Sequence, residues 1–205
     1  MFVLIAAAIT VLLAAPAPPA RTAAPTPQRF VIVPGESKVT YRVSETFINE
    51  GNRLNVAVGI TDAIHGEVTI NRTDPRQSRV GPITVDISRF QSDSPRRDNA
   101  IRGRWLESAR FPTAEFTPTE ITGLPAAYQE GRELHLEITG RLKVREVTRP
   151  TTFQTTLILS ASALTGSATT KLLMTDFDFQ PPSILGILRA ENEVHIEFRF
   201  TARPQ

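Results

Sequence analysis

The chain has 205 residues, with 23 Lys and Arg against 21 Asp and Glu, three His and no Cys. That length suits one domain with a real core, and 40% apolar with 21% charged residues is the composition of a folded chain. A net charge of +2, with Arg scattered and no basic block beyond Arg96-Arg97, argues against a nucleic-acid partner. The missing Cys excludes disulfides, thiol catalysis, Cys-type zinc sites and a lipid-modified N-terminal Cys.

Residues 2–15 form an apolar run of 14 residues, with Thr10 as its one polar member. The run is too short to span a bilayer and fits the core of a secretory signal. Ala15-Pro16-Ala17 follows as an Ala-x-Ala pattern, although no Lys or Arg precedes the run. The expectation is an exported protein, periplasmic or secreted, with residues 1–15 as a signal-like segment. Residues 16–28 carry five prolines and little that could enter a core, so they read as a linker. The folded domain is expected over 29–203.

From Phe30 onward the apolar residues recur with period two. Val39, Tyr41 and Val43 alternate with polar neighbours, and Leu54, Val56, Val58 and Ile60 share one parity. Val68 and Ile70, then Ile83, Val85 and Ile87, repeat the pattern. So do Leu134, Leu136, Ile138, Leu142 and Val144, and the closing run Val194, Ile196, Phe198 and Phe200. Such alternation specifies antiparallel strands with one apolar and one wet face. Turn residues separate the runs at Pro34-Gly35, Asn49 to Asn52, Arg72 to Pro75 and Glu130-Gly131. Eight or more strands are expected, and closure into a barrel removes their edges.

One segment reads as helix. Asp93-Ser94-Pro95 supplies a cap and a proline at the first turn. Asp98 and Arg102 are spaced for an acid-before-base pair, while Gly103 limits the helix to about three turns. Residues 176–192 break the strand pattern. Pro181-Pro182 is followed by Ile184, Leu185, Ile187 and Leu188, an apolar loop of a kind that covers something.

The sequence is poor in convergent chemistry. It has no Gly-x-Ser-x-Gly, no His-Glu-x-x-His and no phosphate-cradling glycine loop. His65, His135 and His195 fall on wet strand faces beside carboxylates, which favours surface pairing over metal ligation. Asp176 and Asp178 flank Phe177 like a carboxylate pair, so a hydrolase on the same barrel is one alternative to a turn-forming role. Arg96, Arg97, Asp98, Arg102 and Arg104 read either as an anion site or as helix caps and surface pairs.

Residues 89–116 carry a recognisable order: Arg97-Asp98, Ile101-Arg102, Trp105-Leu106, then Phe111-Pro112 to Phe116. Gly140, Leu142, Val147, Thr148 and Pro150 form a second pattern, and residues 174–202 a third. Together these stretches resemble the YceI-like family of exported lipid-binding proteins across 30–202. Where that family usually has Gly after an Asp-Phe step, this chain has Asp178. The resemblance implies an all-β fold, an extended antiparallel lipocalin-like β-barrel with one short helix, whose interior holds a polyisoprenoid such as a polyprenyl phosphate or an isoprenoid quinone. It implies no catalytic residue, no metal and no cofactor beyond the bound lipid.

On that reading the apolar lining is expected from Val56, Val58, Val68, Ile70, Val85, Ile101, Trp105, Phe116, Leu136, Ile138, Phe153, Phe177, Phe179, Ile196 and Phe198. Arg97 and Arg102 are the head-group candidates. Residues 184–188 are a candidate for transient membrane contact, and a homodimer is compatible with the sequence. A membrane-embedded barrel is disfavoured by two Tyr and one Trp, too few for two aromatic girdles. A structural stress protein without ligand is the remaining alternative.

Overall fold

The computed structural model describes residues 27–205. The signal-like run and all but the last two residues of the Pro/Ala-rich tract lie outside the described residues. The strands are β1 (Gln28–Ile32), β2 (Lys38–Phe47), β3 (Arg53–Thr61), β4 (Ile64–His65), β5 (Glu67–Ile70), β6 (Arg79–Val80) and β7 (Ile83–Asp86). After the helix α1 (Pro95–Ala100) come β8 (Thr113–Thr122), β9 (Glu133–Val144), β10 (Val147–Leu159), β11 (Leu164–Leu173), β12 (Ser183–Ile184) and β13 (Leu188–Pro204).

These strands form one 13-stranded sheet in the order β4-β7-β8-β9-β10-β11-β13-β1-β5-β6. The pairings are antiparallel, as the two-residue periodicity requires. The sheet curls because β4 and β5 are one run interrupted only at Gly66. Its first part pairs with β7 and its second with β1, so the two ends of the order meet. The 17-residue β13 divides its outer edge between two partners. Arg199 and residues before it pair with β2, and Ala202 to Pro204 pair with β1. Strand β3 lies outside β2, and an isolated bridge from Ile60 to Gln91 ties it to the segment leading into α1.

Cross-strand packing explains two glycines. A Cβ on Gly59 would fall inside the Tyr41 ring, its cross-strand neighbour. A Cβ on Gly140 would enter the Phe116 ring, which packs edge-on against Phe153 with centroids 4.9 Å apart. Small residues on one strand therefore make room for aromatic ones on the next.

The helix starts as its sequence requires. Ser94 caps it by accepting from the Arg97 backbone N–H at 3.3 Å, with Pro95 in the first turn. It continues through a π-helical turn over Ile101–Trp105. The expected Asp98–Arg102 pair does not form. Asp98 is buried and accepts from the Ser92 hydroxyl at 2.6 Å and from the Ser92 backbone N–H. Arg102 instead donates to the Phe90 carbonyl and to Asn99 Oδ1, both at 3.1 Å.

Residues 176–192 hold more order than the expected loop. A 3₁₀ turn over Met174–Phe177 precedes a small hairpin, in which β12 pairs with the start of β13. Gly186, with φ of 71°, supplies the left-handed residue of its turn.

Candidate functional site

The interior of the barrel is a cavity of about 590 Å³. Thirteen of the fifteen lining residues expected from sequence reach it: Val68, Ile70, Val85, Ile101, Trp105, Phe116, Leu136, Ile138, Phe153, Phe177, Phe179, Ile196 and Phe198. Val56 and Val58 do not. Alternation gives a strand two faces and does not say which is inner. On β3 the inner face carries Asn55, Ala57, Gly59 and Thr61, small or polar residues packed under Tyr41 and Glu45. Val56 therefore lies outside at 53% exposure, and Leu54 at 79%.

The wall also includes residues not among the expected lining, such as Phe47, Phe90, Leu164 and Ala168, and it takes in Ile184 and Ile187 of the apolar segment expected to cover something. Two more are polar. Tyr41 and Glu45 share the inward parity of β2 with Val39 and Val43, and both are buried. An acidic residue at an inward strand position was the signal available for Glu45.

The head-group candidates separate. Arg97 reaches the cavity wall, and its guanidinium bonds Glu45 Oε2 at 3.3 Å and Asp93 Oδ1. Burial opposes its charge, but the Asp93 hydrogen bond and the Glu45 charge more than offset this, so its pKa is raised. Arg102 lies outside the lining. Its bond to the Phe90 carbonyl steadies the segment whose ring meets Tyr41 edge-on, centroids 5.2 Å apart. Burial, with the Asp98 charge next, pushes the Tyr41 phenol up to about 12.

Trp105 donates its indole N–H to the Gln180 carbonyl at 3.1 Å, linking the helical segment to the loop before β12. That loop and hairpin contribute Pro182, Ile184, Ile187 and Leu188 to the cavity wall. Ile184 and Ile187 both line it and remain 43% and 45% exposed, and Leu185 between them is 99% exposed.

Asp176 and Asp178 are exposed and form no part of the cavity wall. The Asp176 carbonyl accepts from Arg149 at 2.7 Å. Asp178 closes the 3₁₀ turn with φ of 58°, a left-handed conformation that Asp adopts more readily than most residues. His135 pairs with Glu133 at 3.2 Å and His195 with Glu193 at 2.7 Å, while His65 is exposed. No group of three His, Asp or Glu side chains among the described residues is placed to hold a metal ion.

Solved structures share this architecture. Burkholderia cenocepacia BcnA superposes with a TM-score of 0.61 at 17% identity, covering 83% of this chain and 98% of that one. A polyisoprenoid binding domain from Saccharophagus degradans gives 0.64 at 12% identity, covering 86% and 98%. At those identities the likeness shows the fold. Among curated proteins, YceI of Salmonella arizonae is 31% identical over 94 residues, covering 45% of this chain and 44% of that one. A UPF0312 protein of Enterobacter sp. is 30% identical over a stretch of the same length. The chain thus spans less than half the length of these curated relatives. The YceI-like domain model matches residues 30–202, from the first buried phenylalanine of β1 to the buried Ala202 of β13. That span takes in every strand pair that encloses the cavity, and the chain belongs to the YceI-like family.

Proposed function

We propose that this chain is an exported binding protein that carries a polyisoprenoid chain inside its barrel. The observation that carries the reading is the cavity of about 590 Å³, walled almost wholly by aliphatic and aromatic side chains. That volume falls in the range of small-molecule sites. An apolar chain needs no directed hydrogen bonds, only a dry wall. Each buried CH₂ contributes roughly 0.8 kcal/mol, so about twenty carbons gain on the order of 16 kcal/mol before the cost of association. That cost is about 4–15 kcal/mol, which leaves room for useful affinity. The polyisoprenoid binding named for the Saccharophagus degradans domain supports the same cargo class. Export rests on the apolar run at 2–15.

The exposed tip Ile184-Leu185-Gly186-Ile187 gives this carrier a place to meet a membrane. Its isoleucines belong to both the surface and the cavity wall, so lipid leaving the cavity there stays on apolar contacts. The experiment is to purify the protein from its native host, extract it with organic solvent and identify the lipid by mass spectrometry. Stoichiometric isoprenoid is the expected result. An extract without isoprenoid, from a protein that also fails to bind added isoprenoids, overturns the reading in favour of a structural protein without ligand.

A further inference from the structure

Apart from Thr155 on β10, whose hydroxyl donates to the Phe153 carbonyl at 3.5 Å, the polar residues of the cavity wall fall at two places. Near β5 and β6, Asn71 and Ser78 reach the wall, but the Asn71 N–H donates to Ser78 Oγ at 3.1 Å. Its Oδ1 accepts from the backbone of Thr73 and Asp74. That polar group serves a turn. The second place, beside α1, is different. Tyr41 is 8% exposed, lines the cavity and is held between the Gly59 backbone and the edge of Phe90. The other tyrosine, Tyr128, donates to the Leu159 carbonyl, whereas the Tyr41 hydroxyl has no hydrogen-bond partner among the described residues. The hydroxyl is not sealed off, since Thr151 Oγ1 is the one fully buried side-chain polar atom without a partner among the described residues, so it stands open to an acceptor that enters the cavity.

We propose that the wall beside α1 is a head-group site for an uncharged oxygen function, an alcohol, phenol or carbonyl, which accepts a hydrogen bond from the Tyr41 hydroxyl. The inference rests on the lipid-carrying reading and names the head group that the site takes. Its charge arrangement disfavours a phosphate there. Arg97 is already bonded by Glu45 and Asp93. Arg102 is committed to the Phe90 carbonyl and Asn99. Glu45 and Asp98 are buried carboxylates on the same side of the cavity, and a second anion near them meets repulsion that little water screens. Burial keeps the phenol protonated far above neutral pH, so it remains a donor. Arg79 and Arg96 are the exposed cations at the cavity wall; Arg79 is bonded to the Arg76 and Ser78 carbonyls near β6, and Arg96 gives a phosphate its competing place beside α1.

The test compares three probes on delipidated protein: geranylgeraniol, geranylgeranyl phosphate and the corresponding hydrocarbon. Trp105, the single Trp and a lining residue, reports binding through its fluorescence. The alcohol should bind about tenfold more tightly than the phosphate. Tyr41→Phe, which keeps the ring, should lose about three- to tenfold on the alcohol and nothing on the hydrocarbon, the worth of one hydrogen bond. Alcohol and hydrocarbon binding equally in both proteins overturns the head-group site. A phosphate that binds more tightly than the alcohol, and loses that advantage in Arg96→Gln, overturns it as well. Failure of all three probes to bind is a separate result, which removes the carrier reading and the head-group site with it.

Discussion

Tyr41 shows how one residue joins fold and function. Its ring fills the space that Gly59 leaves, and the same residue lines the cavity. The folded state raises its pKa from 10.0 to about 12, so the neutral phenol is favoured in the native protein. The stability this gives is fully present below the unfolded value and is lost as pH rises through the folded one. Unfolding free energy should therefore fall between about pH 10 and 12 by on the order of 2 kcal/mol more in the wild type than in Tyr41→Phe. Urea titrations of both proteins across that window check it, and parallel curves would refute the assignment. The parity of β2 made Tyr41 legible as an inward residue. Its missing hydrogen-bond partner was not legible, because that depends on what the other strands bring to the same side. Arg97 and Arg102 show the same limit. Their motif is plain in the sequence, yet only the packing of Ser92 against Asp98 shows that Arg102 turns to a backbone carbonyl and leaves Arg97 at the wall.

Among the elements, β9 and β13 follow their apolar parity inward, and β3 reverses it. The difference lies in the neighbour. Across from β3 stand the Tyr41 ring and the Glu45 carboxylate, which need Gly59 and Asn55 opposite them, so the valines turn outward. No rule confined to one strand can find this, because the requirement comes from the strand beside it. Val56→Thr should change unfolding free energy by no more than about 0.5 kcal/mol and leave lipid binding intact. Ala57→Leu, with its added carbons in the cavity, should weaken lipid binding by roughly fiftyfold, as about three ligand carbons at roughly 0.8 kcal/mol each lose their place. Equal binding by the two variants would show that β3 is not part of the occupied wall. In the sequence the hairpin of β12 with β13 looks like a covering loop, since two prolines and an apolar cluster mask its short pairing. Its outward tip carries the transfer prediction. Replacing Leu185, which is exposed and outside the cavity wall, with Ser should slow lipid transfer to vesicles severalfold without lowering equilibrium affinity, whereas unchanged transfer kinetics would remove the tip from the exit route.

At the scale of the whole molecule, the barrel depends on a single run of chain changing partners. Ile64 and His65 pair with β7, Glu67 to Ile70 pair with β1, and Gly66 lies between them. The Ile32 N–H donates to the Gly66 carbonyl at 3.0 Å, so the crossing point is itself tied to β1. A Cβ at Gly66 would collide with Ile83 Cδ1 and come within 3.0 Å of Ile32 Cδ1 and 3.3 Å of the Pro82 carbonyl. Ile32 and Ile83 are both buried, at 4% and 9% exposure, and the backbone of Pro82 cannot move without shifting β7. A methyl group there is overpacking at the seam, which typically costs about 1–3 kcal/mol. Gly103, in the π-helical turn, is the control. Its Cβ would meet nothing within 4 Å, and alanine there should stabilise by up to about 1 kcal/mol through helix propensity. Urea unfolding of Gly66→Ala and Gly103→Ala should move in opposite directions. The seam variant should also lose lipid affinity, because the side chains it displaces, Ile32 and Ile83, belong to the cavity wall. If Gly66→Ala is as stable as the wild type and binds lipid as well, the run from Ile64 to Ile70 is not what closes the barrel around its cargo.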